Sequence, residues 1–71
     1  MKYTVIELQN GIAGDNVWTY DTEDDALAKY FSILSVAAKS SVAIHAATII
    51  RSDGTQVASY FFDRTPKREE D

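Results

Sequence analysis

The stretch from Thr22 to Lys39 places the firmest constraint on what this chain can fold into. At about 100° per residue, Ile33, Ala26, Ala37, Tyr30, Leu34, Leu27, Ala38 and Phe31 fall in one continuous arc roughly 160° wide. Asp25, Lys29, Ser32, Ser35 and Lys39 fill the opposite side. The ends are marked as well. The Thr22 hydroxyl is placed to accept from a free amide of the first turn, with Asp25 reaching back as in a capping box. Glu23, Asp24 and Asp25 stand at the positive end of the helix dipole and Lys39 at the negative end. Asp25 and Lys29 make a favourable i, i+4 pair. An arc this wide exceeds what a small sheet usually covers. One flank is therefore expected to lie against a second copy of the chain, with Ile33 at the edge that reports on assembly.

Strand patterns flank the helix on both sides. Lys2 to Gln9 is rich in residues that favour extended backbone. Thr4, Ile6 and Leu8 share one of its faces, and Tyr3, Val5 and Glu7 the other. The turn formers Asn10-Gly11 and Gly14-Asp15 make Asn10 to Asn16 a loop. Val17 to Tyr20 then reads as a short return strand with Trp18 and Tyr20 on one face. After Ser40-Ser41, Val42 to Arg51 and Gln56 to Asp63 read as a hairpin around Asp53-Gly54. Two registers fit that turn. A two-residue loop pairs Ile50 with Val57 and Ala46 with Phe61; a three-residue loop with a bulge pairs Ile49 with Val57 and His45 with Phe61. Both faces of both strands carry apolar residues, which suggests that the sheet is covered on its second face too. The expected architecture is α+β: ββαββ, one helix packed on an antiparallel four-stranded sheet. Residues 1–63 form the domain, and residues 64–71 a charged flexible tail.

Length and charge narrow the function. A chain of 71 residues buries only about 60% of its unfolded surface, so its stability is marginal. It has no cysteine, which excludes disulfides and thiolate metal sites, and leaves oligomerisation as the route to extra stability. The net charge of -4 argues against nucleic acid and against anionic membranes as partners. Glu7 falls where a signal peptide needs apolar residues, and no apolar run approaches the ~20 residues that span a bilayer. A cytoplasmic setting is expected.

Candidate sites are few. His45 is the one histidine, the residue type best suited to act as a general base, and Ser59 and Asp63 on the neighbouring strand let a Ser–His–Asp constellation be imagined. Flat strands offer neither a nucleophile elbow nor an oxyanion loop, so a histidine packed beside Phe61 or Phe62 is the better reading. The run Asp21-Thr22-Glu23-Asp24-Asp25 has oxygens for a hard cation but lacks the glycine and spacing of a calcium loop. Helix capping accounts for each acid in it. Gly11, Gly14 and Gly54 match no phosphate-binding loop. No catalytic residue, metal or cofactor is therefore expected. Trp18, Tyr20, Tyr60 and Phe62 belong to the core or to an aromatic contact surface. Assembly is expected through Ile33, Tyr30, Ala26 and Ala37 of the helix flank, with Trp18 and Tyr60 of the sheet.

Several stretches carry a resemblance. Met1 to Gln9, Tyr20-Asp21-Thr22, Ala28-Lys29-Tyr30 and Val42 to Ala47 together resemble small uncharacterised proteins encoded by bacteriophages and prophages of gut bacteria. The likeness spans most of residues 1 to 58 and fades along the last strand. It implies a viral or prophage origin and a host-cytoplasm or virion setting. It ties no residue to an activity. The leading expectation is a non-enzymatic protein-interaction module, homo-oligomeric, with a host or virion protein as a further partner. The rival is an inhibitor of a host defence or nucleic-acid-binding protein, acting through its acidic surface.

Overall fold

The computed structural model describes residues 1–64. Strands β1 (Tyr3–Gln9) and β2 (Val17–Tyr20) come first, then helix α1 (Glu23–Ala37), then strands β3 (Ile44–Arg51) and β4 (Gln56–Asp63). The strands form one sheet in the order β2-β1-β3-β4, antiparallel throughout. The fold is thus α+β, with the single helix packed on an antiparallel four-stranded sheet. The helix carries the chain from the β2 edge back to β3, which pairs with β1, so the first and third strands lie in the middle.

The helix starts where its cap dictates. Thr22 has extended backbone, and its hydroxyl accepts from the Asp25 amide at 3.2 Å. The far end comes two residues before Lys39. The last amides tighten to shorter-range bonds, Lys39 to the Val36 carbonyl and Ser40 to the Ala37 carbonyl. No basic residue lies in the last turn, so Lys39 does not play the dipole role expected of it. Similarly β3 begins at Ile44 rather than Val42, whose amide is taken by the Ser40 hydroxyl.

The turns resolve what the pattern left open. Asn10 and Gly11 both have positive φ, and Gln9 and Ile12 exchange backbone hydrogen bonds around them. This is the two-residue hairpin turn that Asn-Gly favours, set inside the longer connection to β2. At the second hairpin, both expected registers occur on opposite sides of a bulge. The Arg51 amide bonds to the Thr55 carbonyl, which closes a three-residue loop with Gly54 at φ 88. Ile50 then faces Gln56, but Ile49 faces Ala58 and Ala46 faces Phe61. Val57 is the extra residue, and it restores the two-residue register to the rest of the ladder.

The core lies between the helix and one sheet face. Val5, Ala47 and Ile49 from the middle strands meet Ala26, Tyr30 and Ile33 from the helix. Trp18, Tyr20, Leu27, Leu34 and Val57 pack around them. Arg64, expected to open a flexible tail, is instead held in place. Its amide donates to the Ala43 carbonyl and its guanidinium to the Ala38 carbonyl, while stacking over Phe62. The rest of the expected tail, residues 65–71, lies outside the described residues.

Candidate interaction surface

Cross-strand partners share a face, so the register divides the sheet in two. On the helix side lie Val5, Trp18, Ile49, Ala47, Tyr60, Phe62 and His45. On the other side lie Ile6 and Leu8 of β1, Val17 of β2, Ile44, Ala46 and Ile50 of β3, and Phe61 of β4. No element among the described residues covers that second side. Val17 and Ile44 are exposed, and Phe61 is 60% exposed. Thr4, Thr19, Thr48 and Ser59 complete the face with hydroxyls. Among the described residues, charge enters it only at its two ends, through Lys2 and its partner Asp21 at one and Asp63 at the other. The ionisable groups in the body of the sheet, Glu7, His45 and Arg51, all fall on the helix side.

The six residues expected to mediate assembly separate sharply. Ala26, Tyr30, Ile33 and Ala37 are buried within the single chain, with Ile33 only 5% exposed. Trp18 is half-buried against the same core. Tyr60 alone stays open, at 53%. The physical reason lies in how the sheet meets the arc. The Ile33 edge is the edge it covers: Lys29, next on the wheel, lies over the Trp18 ring of β2 at 4.0 Å. Phe31 and Ala38, at the other edge, remain exposed. The arc is indeed wider than the sheet covers, but the uncovered flank is the Phe31 side. Leu34, expected near the middle of the buried stripe, is only half-buried.

The imagined triad does not assemble. His45 faces the helix, whereas Ser59 and Asp63 lie on the opposite side of the sheet, across from Thr48 and Ile44. Instead, His45 is 2% exposed and its Nε2 lies 2.5 Å from Glu7 Oε2. Its Nδ1 is buried without a hydrogen-bond partner among the described residues. Phe62 stands opposite His45, as the packing reading expected. The Glu7 partnership was not legible, because it depends on β1 lying beside β3. Neither strand order nor a 38-residue separation can be read from local pattern.

The acidic run is engaged locally. Asp21 pairs with Lys2, whose ammonium beside it holds the carboxyl below its usual range. Asp53, at the hairpin tip, is held well below the usual carboxylate range by the Arg51 guanidinium and then by the Thr55 amide. Among the described residues, no three His, Asp or Glu side chains gather as a metal site would require. No helix among them is long and apolar enough to cross a membrane. No family model matches this chain, and no curated protein or solved structure matches it either.

Proposed function

We propose that this chain is a non-enzymatic protein-interaction module that works as a homo-oligomer, encoded by a phage or prophage and acting in the host cytoplasm or the virion. One observation carries the interaction reading: a four-stranded sheet with a helix on one side and an uncovered apolar side opposite. Contiguous apolar patches beyond a few hundred Å² mark interaction sites on soluble domains. The small core adds support, because a chain of 71 residues is marginally stable alone and oligomerisation is one of the ways small domains add stability. The origin rests on the sequence resemblance alone. Light scattering coupled to size exclusion tests the reading. A mass of two or more chains at micromolar concentration is expected, and a monomer mass throughout removes the homo-oligomer.

The inhibitor reading draws on the exposed Asp21, Glu23, Asp24 and Asp25 around the helix start. It requires binding to a basic host factor that weakens steeply with salt. Assembly through the sheet face is an apolar contact and should survive added salt, which separates the two.

A further inference from the structure

The geometry points to a two-fold dimer in which the uncovered sheet faces of two copies pack on each other, with the helices outermost. This rests on the homo-oligomer reading and adds the surface, the symmetry and the number of copies. Three features select a second copy as the occupant.

The first is area. The strands contribute seven, four, eight and eight residues. At ~3.3 Å along and ~4.8 Å across each strand residue, the face measures about 430 Å² in plan. Two such faces give roughly 850 Å² in plan, to which side-chain relief adds, so the pair lies near the ~1,000 Å² threshold of a specific interface.

The second is charge. The chain carries -4, so a second copy is a like-charged partner. Repulsion is avoided only if contact occurs where the acids are not. Glu23, Asp24 and Asp25 cluster at the helix start, and the body of the open face is charge-free, with the Lys2–Asp21 pair at one end and Asp63 at the other. A nucleic acid or an anionic bilayer would need a basic face, and this one has none. The third is relief. Ala46 sits between Leu8 and Phe61 across the ladder, a low place beside a protruding ring. A face with both a recess and a knob can complement itself in an isologous pair, where residue i meets j and j meets i.

The test is the solution mass of three variants beside the parent chain. Phe61→Glu and Val17→Asp place charges on the open face at exposed positions, on opposite edge strands, where the fold of one chain does not depend on them. Phe31→Glu does the same on the uncovered helix flank. The expected result is a dimer for the parent and for Phe31→Glu, and a monomer with unchanged circular dichroism for both face variants. Should one face variant misfold, the other decides. A parent dimer that persists in both face variants, or that only Phe31→Glu dissociates, overturns the face assignment and leaves the homo-oligomer standing. A monomeric parent overturns the homo-oligomer itself.

Discussion

At the scale of single residues, the pair formed by His45 and Glu7 ties together strands whose residues lie 38 apart in sequence. His45 is nearly sealed, and among the described residues Glu7 supplies the one hydrogen bond its ring makes. Leaving a buried polar group unpaired costs about 1–3 kcal/mol. Glu7→Ala should therefore lower stability by that amount, whereas Glu7→Gln, which can still accept, should cost less. Urea unfolding of both variants checks the order, and equal losses would mean that Glu7 contributes by packing alone. The hairpin tip supplies a pH dependence. Asp53 is lowered in the folded chain relative to the ~3.9 of a free aspartate. Its contribution is thus fully present above pH ~4 and is lost as pH falls through the acid range toward the folded value. Asp53 is solvent-exposed, so the effect is small and screened by salt. In Asp53→Asn the stability gap from the parent should narrow as pH drops from ~4 to ~2 in thermal melts.

At the scale of elements, the helix separates what pattern reveals from what it conceals. Ile33 is packed against Val5 and Ile49 in the core. A lone charge there costs several kcal/mol, comparable to the total stability of so small a domain. Ile33→Asp should leave the chain unfolded at room temperature by circular dichroism, instead of folded and dissociated as an interface position would. Thr22→Ala removes the cap and should cost about 1 kcal/mol in the same assay. The helix, its cap and four strands were legible because each rests on neighbours in sequence: the stripe, the Thr22 to Asp25 spacing, the alternation of Thr4, Ile6 and Leu8. The covered part of the arc was not legible, because it depends on β2 placing Trp18 beneath Lys29. The hairpin register was half legible for a like reason. The tip obeys the local turn chemistry of Asp53-Gly54, and the ladder beyond Val57 obeys the packing of both faces. A bulge is how the chain satisfies both. The lack of clean alternation, with apolar residues on both faces of β3 and β4, led to the expectation of a second cover, and no element among the described residues supplies one.

At the scale of the molecule, the consequence of a one-sided core is that association should add to the stability of a chain that already folds alone. A helix covers one side of the sheet, and the buried interior amounts to a few side chains from β1, α1 and β3. If two copies close over the open face, the dimer gains burial that no single chain supplies, and its stability depends on chain concentration by mass action. A concentration rise of about a hundredfold above the dissociation constant favours the dimer by ~2.7 kcal/mol, shared between two chains. For a domain of this size, each kcal/mol moves the melting temperature by about 4–8 °C. The melting temperature should therefore climb by roughly 5–10 °C across that concentration range. Phe61→Glu should melt lower and show no such climb, since its folded state would be a single chain. Scanning calorimetry or intrinsic fluorescence from Trp18 reads both quantities. A parent protein whose melting temperature is flat with concentration would show that the core beneath α1 suffices by itself and that the open face does not close on a second copy.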